Sequence, residues 1–142
     1  MFKLCLMLLC LVPLASFAER LQSAESEQRE RWTYVAGNDS RSRYIDISTI
    51  KRKKDIVGVW ALDDYAKKQN PLGISYMSAV AYYEFDCKDR KVRILQSIFY
   101  SGNMGLGEQV YSYAESTPGN WDYITPQRLC NVVRAKVCER KP

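Results

Sequence analysis

The sequence contains no histidine. This absence excludes the Ser-His-Asp and Cys-His nucleophile arrangements, and it removes the side chain that most often exchanges protons at neutral pH. Asp63 and Asp64 are adjacent, and neighbouring strand residues face opposite ways, so they do not form an acid/base pair. The cysteines also lack a Cys-x-x-Cys pair. We therefore predict that the protein is not an enzyme and has no catalytic residue, metal site or cofactor.

Long apolar runs are also scarce, and the one present lies at the N-terminus. Lys3 precedes an apolar run over residues 4–14, and residues 16–18 read Ser-Phe-Ala, which is typical of a secretory cleavage site. We predict a signal peptide over residues 1–18, cleaved between Ala18 and Glu19. The run is too short to cross a bilayer as a helix. We therefore expect no transmembrane segment in the mature chain.

Cysteine is sparse and falls to three residues after cleavage, namely Cys87, Cys130 and Cys138. Export places the chain in an oxidising compartment, so one disulfide and one free thiol are expected. Neither Cys5 nor Cys10 follows the small residues of a bacterial lipobox. We therefore expect a soluble exported protein, located in the periplasm, on the outer cell surface or in the medium.

The charge excess is small. Cleavage removes Lys3 and no acidic residue, which lowers the formal net charge from +5 to +4. This balance does not indicate a nucleic-acid-binding protein. The basic residues concentrate in one run, Lys51, Arg52, Lys53 and Lys54. The run could contact an anionic glycan, a lipid head group or an acidic protein, or it could be a solvated hairpin tip that discourages edge pairing.

Alternating apolar residues predict six strands and an α+β fold. The longest alternation forms a hairpin around the charged turn at residues 88–91. One amphipathic helix follows the strands; it should begin at Thr125-Pro126, end at Cys138 and pack across a face of the antiparallel sheet. Residues 102–107 fit a turn with positive φ rather than a phosphate loop, because no helix follows them. The predicted strands cover residues 32–36, 43–47, 56–63, 76–86, 91–100 and 109–113, and residues 65–75 are predicted to form a loop.

The predicted domain spans residues 32–138. Residues 19–31 are charged and should form a flexible or frayed leader, and residues 139–142 form a tail. Cys130 and Cys138 lie about 12 Å apart along the helix, so they cannot pair with each other, and Cys87 cannot reach both. Pairing of Cys87 with Cys138 is favoured and would leave Cys130 as a free thiol; pairing of Cys87 with Cys130 is the alternative.

Tyrosine is abundant, with ten residues in the chain. Tyr111 and Tyr113 share one face of a predicted strand, and Trp121 and Tyr123 lie in the loop before the helix. Exposed tyrosine and tryptophan are enriched at protein interfaces. These four residues are therefore a candidate contact surface, and packing on the sheet is the alternative interpretation.

Several segments together resemble the bacterial surface-adhesin protein E family. The more specific ones are Tyr-Glu-Phe-Asp-Cys at residues 83–87, Tyr-Ser-Gly-Asn-Met-Gly-Leu-Gly-Glu at residues 100–108 and the terminal Ala-Lys-Val-Cys at residues 135–138. The others cover residues 44–47 and 59–62.

The resemblance implies an envelope or secreted protein with an antiparallel sheet, one C-terminal helix and a Cys87–Cys138 disulfide. It also implies binding of host matrix and serum proteins, and a homodimer. We therefore expect an exported, non-enzymatic binding domain with a protein or anionic glycan partner. The alternative is a periplasmic envelope protein that binds a bacterial partner.

Overall fold

The computed structural model describes residues 14–117 and 119–139. This part of the chain forms two α-helices and one sheet of eight strands. In chain order the elements are α1 (Leu14–Glu30), β1 (Thr33–Gly37), β2 (Arg41–Ile45), β3 (Lys51–Lys53), β4 (Ile56–Gln69), β5 (Tyr76–Asp86), β6 (Lys91–Tyr100), β7 (Gln109–Ala114), β8 (Asp122–Tyr123) and α2 (Leu129–Cys138).

Most of the predicted signal peptide lies outside the described residues, which begin at residue 14. Helix α1 runs from Leu14 to Glu30 and passes through the predicted cleavage position between Ala18 and Glu19. The leader predicted over residues 19–31 is therefore largely helical. The signal peptide stays a prediction, and residues 140–142 of the predicted tail also lie outside the described part.

The sheet is antiparallel throughout, with the order β1-β2-β4-β5-β6-β7. Strand β3 adds to one end of β4, and β8 adds to one end of β6. The α+β architecture predicted from the sequence is confirmed, but the count of six strands was too low. Strand β3 was missed because all three of its residues are charged and exposed, and β8 was missed because it has only two residues.

The prediction of a loop over residues 65–75 is wrong for residues 65–69, which belong to a strand. Strand β4 continues to Gln69, and its end pairs with β2 at Tyr65 and with β5 at Gln69. Lys67 and Lys68 in this extension are exposed. No alternation of apolar and polar residues therefore marks it as a strand in the sequence.

Helix α2 covers one face of the sheet, which we call the helix face. The register places Val57, Val59 and Phe85 on this face, and all three are fully buried against the helix. The opposite face, which we call the loop face, carries a smaller cluster around Leu62 and Val80. The main core thus lies between the central strands and the C-terminal helix.

The glycine-rich segment at residues 101–108 folds back over the loop face. Asp64 Oδ1 accepts a hydrogen bond from the Met104 backbone N–H at 2.7 Å, and Ser78 Oγ accepts one from the Gly105 N–H at 3.0 Å. Gly105 has φ 72°, and a Cβ there would lie 3.4 Å from a methyl group of Val80. The predicted turn with positive φ is confirmed at this position.

Helix α2 begins three residues later than the sequence predicted. The backbone N–H of Ile124 still donates to Arg90 in the β5–β6 hairpin turn, at 3.0 Å, and Ile124 is buried. Thr125 then accepts from the Arg128 N–H in a tight turn, at 3.2 Å. The chain therefore remains tied to the sheet through Ile124, and helical bonding starts only at Leu129.

The disulfide joins Cys87, just after β5, to Cys138 in the last turn of α2, with 5.6 Å between the Cα atoms. The prediction of this pairing is confirmed, and Cys130 is free and buried. The bridge ties the short helix to the sheet across 51 residues of sequence. Such a link stabilises the fold by roughly 4 kcal/mol in the chain-entropy account.

Candidate binding surfaces

The basic run is brought together on an outer strand of the sheet. Lys51, Arg52 and Lys53 form β3 and are all exposed, and Lys54 follows in the turn with φ 55°. Arg52 Nη2 donates to the Val137 carbonyl oxygen at 2.8 Å. A cation is favourable at this place because the helix C-terminus carries partial negative charge. One of the four basic residues therefore also supports the position of α2.

The four aromatic residues of the predicted contact surface do not share one face. Tyr111 and Tyr113 lie opposite Phe99 and Ser97, whose register places them on the helix face. Tyr123 lies opposite Lys91, on the loop face.

The two later aromatics accompany basic side chains on β6. The Trp121 ring lies 4.3 Å from the Arg93 guanidinium, and the Tyr123 ring lies 5.0 Å from Lys91 Nζ. These contacts place Trp121 and Tyr123 beside positive charge, apart from the tyrosines of β7.

Strand β7 is open to solvent along its whole length. All six of its residues are exposed, and within the described part of the chain it pairs only with β6. Tyr111 is 45% and Tyr113 is 43% exposed. The Glu115 carboxylate accepts a hydrogen bond from the Tyr113 hydroxyl, which raises the pKa of Tyr113. Free backbone groups and two accessible tyrosines make this strand suited to contact with another protein.

A row of aromatic rings extends from β7 across the end of the sheet. Ring centroids are 5.8 Å apart between Tyr111 and Phe99, 4.8 Å between Phe99 and Tyr76, and 5.6 Å between Tyr76 and Tyr65. Leu72, fully exposed with φ 53°, helps to form an apolar cavity of about 180 Å³ beside this row. Sequence reasoning missed the row because residues 65–75 were read as a loop.

A buried ion pair lies on the helix face near α2. Arg43 and Asp63 are both buried; Arg43 Nε donates to Asp63 Oδ1 at 2.6 Å, and Nη2 donates to Oδ2. Burial alone would lower the pKa of Arg43, but hydrogen bonding and charge from Asp63 outweigh it and raise that pKa. Arg41 Nη1 reaches the same carboxylate at 3.4 Å. Asp63 therefore anchors two arginines.

Tyr83 also belongs to this polar cluster. Its hydroxyl accepts a hydrogen bond from Arg43 Nη2 at 3.3 Å, and burial raises the pKa of Tyr83 to about 12. One feature of the sequence indicates that Arg43 faces the interior. Arg43 alternates with Ile45 on a strand, so an inward-facing Ile45 places Arg43 inward as well.

A cleft with a volume of about 500 Å³ opens above the cluster, between β2, β6 and the start of α2. Four arginines line it together with apolar residues. Sequence reasoning did not identify this cleft, because its arginines are scattered along the chain. The lining residues are Asn38, Arg41, Arg43, Tyr83, Val92, Arg93, Ile94, Asp122, Gln127, Arg128, Leu129 and Cys130.

Two further properties of the described residues bear on function. Among residues 14–117 and 119–139, no three cysteine or carboxylate side chains lie together in a way that could hold a metal ion. Neither α1 nor α2 is both long and apolar enough to cross a bilayer.

Comparisons with known proteins agree with this architecture. Solved structures of Haemophilus influenzae protein E superpose on 78% of the chain at 19% identity; one gives a TM-score of 0.56 over 85% of its own length, and a second crystal form gives 0.57 over 88%. Protein E from non-typeable Haemophilus influenzae gives 0.55 over 76% of its length. No curated protein sequence matches the chain. The model of the family described as surface-adhesin protein E matches residues 32–139, so this chain belongs to the surface-adhesin protein E family.

Proposed function

We propose that this chain is an exported, non-enzymatic adhesin that binds host matrix or serum proteins through the tyrosines of β7. The observation that carries the proposal is that β7 exposes all six residues, with Tyr111 and Tyr113 more than two-fifths accessible. Membership of the adhesin family supports the same function. In such a contact the partner would cover the two rings and pair with the free backbone edge.

The basic strand β3 would contribute a second, electrostatic part of the contact. Lys51 and Lys53 are exposed and project from an outer strand, so they can approach anionic glycans that accompany matrix proteins. Attraction of this kind raises the association rate more than the affinity, and it weakens as salt increases. We therefore propose that β7 provides most of the affinity and that β3 makes the binding sensitive to salt.

Binding of the purified protein to immobilised laminin, vitronectin and heparin tests the proposal. Tyr111→Ser combined with Tyr113→Ser should weaken protein binding at least tenfold. Lys51→Ser combined with Lys53→Ser should mainly reduce heparin retention. Lys67→Ser with Lys68→Ser removes the same charge from an exposed part of β4 and serves as the control. Absence of micromolar binding to all three surfaces would contradict the adhesive function.

The alternative function is that of a periplasmic protein with a bacterial partner. It is favoured by the residues before Cys5 and Cys10, which do not match the small residues of a bacterial lipobox. Cell fractionation separates the two. Protein at the cell surface or in the medium supports adhesion, and full retention in the periplasm supports the alternative.

A homodimer is a further part of the proposal. A second copy could occupy the open edge of β7 in place of the host protein, so the dimer and the host complex would compete for the same tyrosines. Sedimentation of the wild type and of the Tyr111→Ser/Tyr113→Ser variant checks this. A dimer that persists in the variant would place the subunit contact elsewhere.

A further inference from the structure

We infer that the cleft at the start of α2 binds an acidic peptide segment, in which a carboxylate stands beside an apolar side chain. No residue of β3 or β7 lines this cleft, although Tyr113 of β7 lines a second cavity that adjoins it. The inference does not depend on the adhesive function, and it can hold if that function fails.

Positive charge is available at the mouth of the cleft. Arg43 already holds the Asp63 carboxylate through two hydrogen bonds. Arg41 makes a longer contact of 3.4 Å with the same carboxylate and also interacts with the Tyr65 hydroxyl, so part of its guanidinium is available to a ligand. Arg128 is exposed, and no carboxylate of the described residues lies within salt-bridge distance of it. The planar guanidinium groups of Arg41 and Arg128 match the geometry of a carboxylate.

The first turn of α2 adds donors at the same place. Arg128 occupies the N-cap position with extended backbone angles, and its side chain makes no capping hydrogen bond. An arginine side chain carries no acceptor, so it cannot cap the N–H groups of Leu129 and Cys130. Both residues line the cleft. A bound carboxylate would meet these N–H groups together with the arginines.

The side of the cleft formed by β6 supplies an apolar wall. It carries Val92 and Ile94, and Ile94 is 41% exposed although it lies on the helix face. Inorganic phosphate would leave this wall unused. A heparin-like chain carries charge along its whole length and would set charged groups against it. A peptide with a leucine-like side chain next to an acidic residue can place its carboxylate at the arginines and its apolar side chain against Ile94.

The shape of the cleft favours an extended chain. A second cavity of about 360 Å³ adjoins it and shares Arg93, Ile94 and Asp122 with it. Asp122 lies where the two cavities meet, and Glu115 lines only the second one, so negative charge begins at the junction and continues into the second cavity. The ligand segment would therefore place its acid between Arg41 and Arg128, its apolar side chain against Ile94, and a neutral or basic residue near Glu115.

Amide and arginine NMR signals of the ¹⁵N-labelled protein test this inference directly. The probe is an acetylated Leu-Glu-Leu-Lys peptide amide, and its matched control has Gln in place of Glu. The Glu peptide should produce saturable shifts at the Leu129 and Cys130 amides and at the Nε–H groups of Arg41 and Arg128. The Gln peptide should bind at least tenfold more weakly.

Arg128→Ser provides the decisive variant. Serine is a good N-cap, so the substitution should preserve α2 while it removes the guanidinium and lets the hydroxyl accept from one backbone N–H of the first turn. Binding of the Glu peptide should fall at least tenfold. Lys53→Ser loses the same charge on β3 and should change binding less than twofold.

Three results would overturn the inference: no saturable shift with the Glu peptide, equal binding of the Glu and Gln peptides, or unchanged binding in Arg128→Ser. A heparin tetrasaccharide serves as the competing probe, and its shifts should stay on β3. Saturation of the cleft by the tetrasaccharide, without binding of the Glu peptide, would identify a glycan site instead. Loss of laminin and vitronectin binding in the Tyr111→Ser/Tyr113→Ser variant bears only on the adhesive surface.

Discussion

The central strands and the far edge of the sheet differ in how they meet solvent. Strand β4 buries Val57, Val59 and Ala61 against α2, which is held in place by the Cys87–Cys138 bridge. Strand β7 is separated from β4 by two strands of the same sheet, and all of its residues are exposed. The buried contacts that stabilise the fold therefore lie on the central strands, whereas the proposed partner contact lies on β7. Changes at the centre should therefore alter folding, and changes at β7 should alter binding.

Removal of the disulfide should give the largest effect. Cys87→Ser combined with Cys138→Ser frees the short helix α2 and should lower the free energy of unfolding by roughly 4 kcal/mol. Denaturant unfolding of the oxidised protein and of the variant measures the difference. Cys130→Ala is the matched control and should cost roughly 1 kcal/mol, since Cys130 is buried but unbridged. Equal losses in both variants would contradict the structural role of the bridge.

Disruption of the buried ion pair should come next. Asp63→Ala leaves the Arg43 guanidinium buried without its carboxylate, which should cost about 3 kcal/mol. Asp64→Ala affects the neighbouring position on the loop face, where the carboxylate holds Met104, and should cost about 1–2 kcal/mol. Thermal unfolding compares the two. A smaller loss in Asp63→Ala than in Asp64→Ala would show that the helix face does not dominate stability.

Alkaline pH should weaken the central strands through Tyr83. Burial raises the pKa of Tyr83 to about 12, whereas a tyrosine in the unfolded chain titrates near 10. The folded state therefore favours the neutral phenol. Its contribution is fully present below about pH 10 and is lost as the pH rises towards about 12, on the order of 2 kcal/mol. Rapid denaturant unfolding between pH 9 and 12 should show a steeper loss for the wild type than for Tyr83→Phe, and parallel curves would contradict the assignment.

Substitution on β7 should have the smallest effect on folding. Tyr111→Ser combined with Tyr113→Ser should change the free energy of unfolding by less than about 1 kcal/mol, because both rings are largely exposed. The same variant should lose partner binding at least tenfold. A large loss of stability would mean that the contact of Tyr111 with Phe99 is a core contact and that the two regions are not separate.

The sequence predicted those parts of the fold that follow from alternation and cysteine spacing. The β5–β6 hairpin and the terminal helix could be predicted because each depends on a local pattern. The Cys87–Cys138 pairing spans 51 residues, and it could be favoured because few cysteines remain and helix geometry limits which of them can meet. Strand β3 could not, because its pairing with β4 is fixed by backbone hydrogen bonds while its side chains are all charged.

The candidate sites were less accessible from the sequence. Tyr111 and Tyr113 could be placed on one strand face, but the separation of Tyr123 onto the other face depends on the register of β8. The arginine cleft combines Arg41 with Arg128, which only the three-dimensional packing of α2 against β2 and β6 brings together. No local pattern contains that information.

Hydrogen–deuterium exchange of the protein, alone and with vitronectin, tests most directly the separation of stability from recognition. We predict that amides of β4, β5 and α2 are strongly protected in both conditions. In the free monomer, the amides of residues 109–114 that do not face β6 should exchange quickly, and they should become protected in the complex. A complex that leaves residues 109–114 unprotected, or that loosens β4 and α2, would contradict the assignment of binding to β7.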